Sequence, residues 1–313
     1  MTTLVTPREP AELSRTERRR LSEATRAERR FGWSLCAPAV IVMAAVAFYP
    51  IGYAIYLSLQ RYDLRFPQDT HFVGLSNYGI VLSSGIWWHA FVVTLIITVV
   101  SVAVELVLGM ALAMLLYYTP LWRGLVRTSI LIPYGIVTVA AAYSWQFAWT
   151  PGVGYLANLL PAGSAPLTNQ WQAIGLIILA EIWKTTPFMT LLLLAGLTLV
   201  PDELLRAAKV DGASTWQRFT QIMLPLMKPA VLVALLFRTL DAFRIFDNIF
   251  ILTKGNNGTG SVSIIGYDNL FTALNLGIGS AISVLILIAV AIIAFIFIRV
   301  FGTAAPGTAL ERR

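Results

Sequence analysis

The chain has 313 residues, of which 57% are hydrophobic and only 12% are charged, and its formal net charge is +7. Soluble globular domains contain about 25% charged residues, so this composition excludes a soluble domain and indicates an integral membrane protein. The single cysteine, Cys36, excludes a disulfide within the chain and a metal site built from several thiolates.

The first element, residues 1–30, is a basic segment with eight Arg and five Glu and almost no apolar periodicity. It predicts a solvated tail whose Arg side chains meet the anionic headgroups of membrane lipid. Residues 31–303 are predicted to form one membrane domain, followed by a short C-terminal tail, residues 304–313.

Within the membrane domain, six apolar runs are each long enough to cross a hydrocarbon core, for which about 20 residues suffice. They cover residues 34–60, 90–118, 125–149, 173–200, 230–253 and 277–301. These runs predict an all-α integral membrane protein with six transmembrane helices.

The basic residues are distributed unevenly between the two sides of the membrane. Of the 23 Lys and Arg residues, 17 fall on the side of both termini and of residues 201–225, and three fall on the opposite side. By the positive-inside rule, both termini and residues 201–225 are therefore cytoplasmic. Membrane orientation accounts for the positive charge, and we expect no nucleic-acid partner.

Two charged residues, Glu181 and Lys184, lie in the middle of the fourth predicted span. They are three residues apart and so share one helix face, which must meet protein or a water-filled cavity instead of lipid. This spacing predicts a self-neutralising structural ion pair. Glu105, in the second span, lacks such a neighbour and is predicted to pair with another helix.

Residues 201–225 form a charged segment between the fourth and fifth spans, and their pattern predicts two short helices joined by a turn. Asp202 can cap the first helix. The pair Asp211-Gly212 predicts the turn, since glycine tolerates a positive φ.

The second helix of this segment has a start and an end signal. Ser214, with Gln217 three residues later, predicts a capping box, and Pro225 predicts the end of the helix. A helix-turn-helix tied to spans on both sides is suited to docking with a partner in water. A well-capped cytoplasmic loop without a partner would have the same pattern.

The same segment carries Arg206-Ala-Ala, then Asp211-Gly-Ala, then Ile222-x-Leu-Pro225. This sequence resembles the EAA loop of binding-protein-dependent ABC importer permeases, whose pattern is Glu-Ala-Ala, a glycine and a downstream Ile-x-Leu-Pro. The similarity to sugar permeases of this family extends from about residue 31 to 301. It implies the six-helix type I importer fold with a cytoplasmic coupling loop, and a sugar, such as the disaccharide trehalose, as substrate.

The resemblance also implies an assembly. Its members are a second homologous permease, two ATPase subunits that bind ATP and Mg, and an extracytoplasmic sugar-binding lipoprotein. The loop would lie in a cleft of the ATPase, and the candidate coupling residues are Glu203, Arg206, Ala207, Ala208, Asp211, Gly212 and Ala213.

One residue of the loop departs from the family pattern. Arg206 stands where the pattern has Glu, and the nearest acid, Glu203, is three residues earlier. Because this change reverses the charge offered to the ATPase, either the partner carries a complementary acid or the coupling depends mainly on shape around Gly212.

The chain itself contains no Walker A, Gly-x-Ser-x-Gly or His-Glu-x-x-His motif. Its two histidines, His71 and His89, fall in external or interfacial positions, where a surface role is expected. The sequence therefore predicts no catalysis, metal site or cofactor in this chain, and ATP hydrolysis by a separate subunit.

In the fifth span, charges alternate in sign at three-residue steps, and Phe243 lies among them. On a continuous helix, most of these residues fall within one stripe about 120° wide, which cannot face lipid. The candidate residues are Arg238, Asp241, Arg244, Asp247 and Asn248.

Two interpretations of this stripe stay open. The pairs Arg238–Asp241 and Arg244–Asp247 could form a structural ladder between helices. Charged groups interleaved with Phe243 and Phe246 are also the groups that bind sugar hydroxyls and stack on sugar rings. We favour the second interpretation, a lining of the translocation pathway.

Other functional classes also stay open. In an ion-coupled secondary transporter, Glu105, Asp241 and Asp247 would be proton sites, although no inverted repeat is evident. An intramembrane enzyme would need catalytic side chains that face one another, which the two histidines do not supply.

Overall fold

The structure, a computed structural model, describes residues 15–119, 123–161 and 163–301. The predicted C-terminal tail, residues 304–313, and residues 1–14 of the predicted N-terminal tail lie outside the described residues. The chain separates at Ala54 into two compact units.

Most of the described chain is helical. The α-helices are α1 (Arg15–Ser58), α2 (Ser76–Ser83), α3 (Gly85–Tyr118), α4 (Arg123–Gly135), α5 (Thr138–Ala148), α6 (Gln170–Leu197), α7 (Asp202–Val210), α8 (Thr215–Arg218), α9 (Leu224–Phe243), α10 (Asp247–Leu252), α11 (Val262–Tyr267) and α12 (Leu276–Phe301). Two π-helical segments, Phe219–Met223 and Asp268–Thr272, precede α9 and follow α11. A small antiparallel hairpin pairs β1 (Gln60–Arg61) with β2 (His71–Phe72).

The first unit contains α1 up to Ala54. This helix begins at Arg15, so the second half of the predicted tail is helical. Its apolar part, Trp33–Ser58, is long enough to cross a membrane.

Six membrane spans are present if one bent pair counts as a single span. Five helical stretches are long and apolar enough alone: Trp33–Ser58, Gly85–Tyr118, Gln170–Leu197, Thr215–Leu252 and Leu276–Arg299. The sixth is the pair Gly124–Gly135 and Thr138–Ala148, which bends by 86°. The predicted third span is thus broken, because Pro133 removes a hydrogen bond near the end of α4 and Gly135 lacks a side chain that would stabilise a further turn.

In the second unit, α3 packs along α6, and both contact α9. Gly109 permits the close approach of α3 to α6, because a Cβ atom at that position would lie only 2.8 Å from Cγ of Met189. Small residues serve this purpose in membrane helix pairs, where backbones approach to gain van der Waals contact. This packing brings the polar residues of the three helices into one interior region.

The predicted helix-turn-helix is observed at α7 and α8. Gly212 has φ +83°, as the turn prediction requires. The capping box is also confirmed, since Ser214 Oγ accepts from the Gln217 amide at 3.2 Å and Gln217 Oε1 accepts from the Ser214 amide at 2.7 Å. The predicted cap at Asp202 is wrong: Pro201 occupies the N-cap position, and Asp202 accepts a 2.8 Å hydrogen bond from the Tyr117 hydroxyl.

The predicted helix end at Pro225 is wrong as well. Helix α8 continues through the π-helical segment Phe219–Met223 directly into α9. Pro225 lies in the first turn of α9, where the missing N–H of proline is tolerated, and the π-helical segment absorbs the change in hydrogen-bond register. Residues 215–223 are therefore joined to the fifth span by an unbroken helix.

Candidate functional site

A cavity of about 620 Å³ lies beside two helix breaks in the second unit. Its lining comes from three places: the α4–α5 break, the middle of α6 and the α9–α10 break. Irregular backbone at membrane depth is tolerated only where protein or a water-filled space satisfies it, and broken helices of this kind commonly border the binding sites of transporters.

The break in the fifth span separates α9 from α10 at Arg244–Phe246. Side chains satisfy its freed carbonyls. The Arg244 side chain donates from Nε to the carbonyl of Leu240 at 3.3 Å, and Ser261 donates from Oγ to the carbonyl of Ile245 at 3.0 Å. Because the helix ends here, the predicted continuous stripe of charges does not form.

A buried ion cluster centred on Arg238 joins three helices. The side chain of Arg238 is fully buried, and its Nε donates to Glu105 of α3 at 2.5 Å. Its two terminal nitrogens donate to Glu181 of α6 at 2.8 Å and to Asp241 of α9 at 2.9 Å. The predicted partner of Glu105 on another helix is therefore Arg238, and the first pair of the alternative ladder interpretation, Arg238–Asp241, is present.

No salt bridge joins Glu181 and Lys184 among the described residues, and each side chain has hydrogen-bond partners on other segments. Glu181 accepts from Arg238 and, at 2.5 Å, from the side-chain amide of Asn248. Lys184 donates to backbone carbonyls of Pro133 at 3.2 Å, of Tyr134 at 2.9 Å and of Ile136.

The second pair of the alternative ladder interpretation, Arg244–Asp247, does not form. No ion pair joins the two residues in the part of the chain that the structure describes, because the helix ends between them. Asp247 instead begins α10, where a carboxylate is favourable at the positive end of the helix dipole.

Four of the six predicted pathway residues line the cavity: Asp241, Arg244, Asp247 and Asn248. Arg238 lies behind the wall, in the ion cluster. Phe243 does not line the cavity, because its buried ring packs edge-on against Phe91 with the centroids 6.0 Å apart. Phe246 lines the cavity in its place.

Sequence reasoning missed six lining residues, among them Tyr134 and Thr185. Thr185 donates from Oγ1 to Glu105 at 2.9 Å and so extends the ion cluster toward the cavity. Tyr134 belongs to the Pro- and Gly-interrupted part of the third span. Such an interruption of an apolar run is the available signal for a site residue.

The candidate coupling residues lie on the surface of α7 and of the turn that follows it. Glu203, Arg206, Ala207, Asp211 and Gly212 are exposed, whereas Ala208 and Ala213 are half-buried. A shallow groove of about 420 Å³ borders this surface, between α7 and the helix that leads into α9. Among the described residues, no group of three His, Cys, Asp or Glu side chains could hold a metal ion.

Comparison with known proteins gives one matching family and several similar chains. The sequence profile of the binding-protein-dependent transport system inner membrane components matches residues 90–305. The chain is 64% identical over 281 residues to the trehalose transport system permease protein SugA of Mycobacterium tuberculosis, covering 90% of this chain and 92% of that one. It is 38% identical over 279 residues to the trehalose/maltose transport system permease protein MalF of Thermococcus litoralis, covering 87% and 94%.

Solved structures share the fold at low sequence identity. A chain from a bacterial ABC transporter involved in the import of the acidic polysaccharide alginate aligns with a TM-score of 0.78 at 21% identity. The alignment covers 91% of this chain and 99% of that chain. A chain of the MetNI methionine ABC transporter aligns with a TM-score of 0.53 at 20% identity, over 69% and 94% of the two chains.

Proposed function

Since the chain belongs to the family of binding-protein-dependent transport system inner membrane components, we propose that it forms the translocation pathway of an importer for a disaccharide such as trehalose. The chain is a multi-pass inner-membrane permease of a sugar ABC importer and has the type I permease fold. This assignment decides against the ion-coupled carrier. The choice of trehalose is supported by the 64% identity with SugA.

The proposed assembly contains a second permease, two ATPase subunits and an extracytoplasmic sugar-binding lipoprotein. It is supported by a solved alginate transporter of the same fold, in complex with an alginate pentasaccharide-bound periplasmic protein, which aligns with a TM-score of 0.74. We further infer that both termini and residues 201–225 are cytoplasmic, because 17 of the 23 basic residues lie on that side. The exposed face of α7 and Gly212 is the surface we assign to the ATPase.

The cavity between the two helix breaks is the proposed sugar site of this chain. Pockets for small ligands occupy about 300–1,000 Å³, and this one has about 620 Å³. Carboxylates and a guanidinium can form paired hydrogen bonds with sugar hydroxyls, and the ring of Phe246 supplies an apolar face for the sugar ring. The single observation that supports this site is the clustering of Asp241, Arg244, Asp247 and Asn248 on its wall.

We expect the variants Asp247→Asn and Asn248→Ala each to lower trehalose uptake by about 10-fold or more, since hydrogen bonds to charged groups contribute about 1.5–3 kcal/mol. Uptake is measured with labelled trehalose in vesicles that contain the whole complex, together with the amount of assembled complex and its ATPase activity. Asp268→Asn is the matched control, because Asp268 is exposed and lies outside the cavity wall.

The two variants also separate a binding role from a structural one. Asn248 is buried and donates to Glu181, so loss of assembly in Asn248→Ala alone would indicate a structural role for that residue. Asp247 is exposed to the cavity, and the asparagine in Asp247→Asn has nearly the same size and shape as the aspartate that it replaces. Wild-type uptake by both assembled variants would contradict the proposed site.

ATP and Mg are proposed to bind only to the separate ATPase subunits. The purified chain without other subunits is expected to release no phosphate from ATP above a protein-free control, since its 313 residues contain no Walker A motif. Reconstitution with the ATPase subunits supplies the positive control. Turnover by the purified chain, at a rate that follows the chain through a further chromatographic step, would contradict this assignment.

A further inference from the structure

We propose that Lys184 is a positioning residue for transport, whose ammonium group holds the α4–α5 break in the shape that the cavity requires. The inference rests on the proposed sugar site, because the break forms one wall of that cavity. It gives a role to a buried ammonium group that makes no salt bridge in the part of the chain that the structure describes.

The hydrogen bonds of Lys184 match the needs of the break. The last carbonyls of an α-helix have no partner within the helix, and α4 ends at Gly135. The regular hydrogen bonds resume only in α5, where the amide of Ala141 donates to the carbonyl of Val137 at 3.0 Å. Lys184 donates to three carbonyls in between, those of Pro133, Tyr134 and Ile136. An ammonium group has three N–H donors, so its hydrogen-bonding capacity is filled.

Electrostatics favour the same arrangement. The C-terminal end of a helix carries a partial negative charge, and a cation placed there is stabilised. Lys184 is only 7% exposed and lies at membrane depth, where water is scarce and backbone carbonyls need a partner in the protein. An apolar side chain of similar length, such as that of methionine, could fill the space but could neither donate to the carbonyls nor offset the charge of the helix end, and a hydroxyl could donate to only one carbonyl and carries no charge.

A contact with an aromatic ring further fixes the position of the α4–α5 break. Lys184 Nζ lies 5.6 Å from the centroid of the Tyr134 ring. The Tyr134 ring also stacks on Phe188, one helical turn after Lys184 on α6, with the centroids 5.6 Å apart and the planes 18° from parallel. Two residues of one α6 face therefore hold Tyr134, which lines the cavity.

The position of the α4–α5 break connects the contacts of Lys184 to transport. Helix α4 packs against α6, whereas α5 packs against α10, which begins with Asp247 and Asn248. The 86° bend between α4 and α5 therefore sets how the wall at residues 134–138 faces the polar wall at α10. Without the ammonium group, the break would have to straighten or recruit water, and either change alters the cavity.

The experiment tests the charge separately from the length of the side chain. Cys36 is the only cysteine of the chain, so Cys36→Ser provides a cysteine-free parent. Lys184→Cys is added to it, and the assembled complex is treated with 2-bromoethylamine. The thiolate displaces bromide and forms a C–S bond, which restores an ammonium group on a side chain of nearly the original length. 2-Bromoethanol gives a neutral side chain of the same length.

We expect Lys184→Cys to lower trehalose uptake at least 10-fold, 2-bromoethylamine to restore at least a third of it, and 2-bromoethanol to restore less than a tenth. The parent complex, treated with each reagent, controls for cysteines of the partner subunits. Lys228→Cys is the matched control, because Lys228 is exposed and outside the cavity wall, and its uptake is expected to stay within twofold of the parent.

Two results would overturn the inference: uptake by Lys184→Cys within twofold of the parent, or equal recovery with the two reagents. If Lys184→Cys fails to assemble, Lys184→Arg is compared with Lys184→Met, and we expect higher assembly and uptake for the charged variant. Equal values for these two would also overturn it. A parent complex that takes up no trehalose contradicts the proposed substrate, whereas a transporting parent that tolerates loss of Lys184 contradicts this inference alone.

Discussion

Replacing Arg238 with methionine is expected to remove most of the folded protein from the membrane. The substitution leaves Glu105 and Glu181 buried without their guanidinium partner. Removing one member of a buried ion pair costs about 3–5 kcal/mol, and folded domains are stable by only about 5–15 kcal/mol. The measurements are the yield of monodisperse protein in mild detergent and the midpoint of its thermal unfolding.

A charge-matched variant tests the reason for this loss. The triple variant Arg238→Met, Glu105→Gln, Glu181→Gln leaves no carboxylate of α3 or α6 without a partner, and we expect it to recover a large part of the yield. Lys228→Met is the control on the same helix, because Lys228 is exposed and lies outside the cavity wall, and its loss is expected to leave the unfolding midpoint nearly unchanged. Wild-type stability of Arg238→Met would contradict the assignment of Arg238 as the centre of the cluster.

Replacing Gly212 with valine is expected to abolish most transport while leaving membrane insertion intact. Gly212 has φ +83°, and a β-branched residue in that conformation costs about 1–3 kcal/mol. No described atom lies within 4 Å of a Cβ at this position, so the cost arises from the backbone and not from a clash. Relief of the strain would change the turn between α7 and α8, the surface assigned to the ATPase. We expect uptake to fall at least 10-fold, together with weaker retention of the ATPase subunits during purification.

Two further variants control for this effect. Gly212→Asn is expected to retain most of the uptake, since asparagine tolerates the left-handed conformation better than other residues. Gly152 has φ +79° and equally open surroundings in the described chain, so Gly152→Val imposes a similar strain away from the coupling surface. Normal uptake by Gly212→Val, or an equal loss in Gly152→Val, would contradict a specific role of this turn.

Features that depend on neighbouring residues in the sequence were predictable. The number of spans follows from the length of apolar runs, and the capping box at Ser214 and the positive φ of Gly212 follow from residue types at short spacings. Pro133 and Gly135 are signals of the same local kind, although the third span was predicted as one continuous helix.

Features that depend on contacts between helices were not predictable. The spacing of Glu181 and Lys184 suggested a local pair, but Arg238 of α9 and the end of α4 are the partners that the fold brings to them. The break at Arg244–Phe246 contains neither Pro nor Gly, so the sequence offered no reason to end the helix there. Its carbonyls are satisfied by side chains such as Ser261, which is distant in sequence.

The helix from the capping box to the fifth span is unbroken, so a tilt at one end would move the residues at the other end. At 1.5 Å per residue, Arg238 lies roughly 35 Å from Thr215, so a tilt of about 5° about the Thr215 end would displace the guanidinium by about 3 Å. That distance is comparable to the hydrogen bonds that join Arg238 to its three carboxylates. A small rotation at the Thr215 end is therefore large enough to break the ion contacts of Arg238 beside the cavity, without any change in the length of the helix.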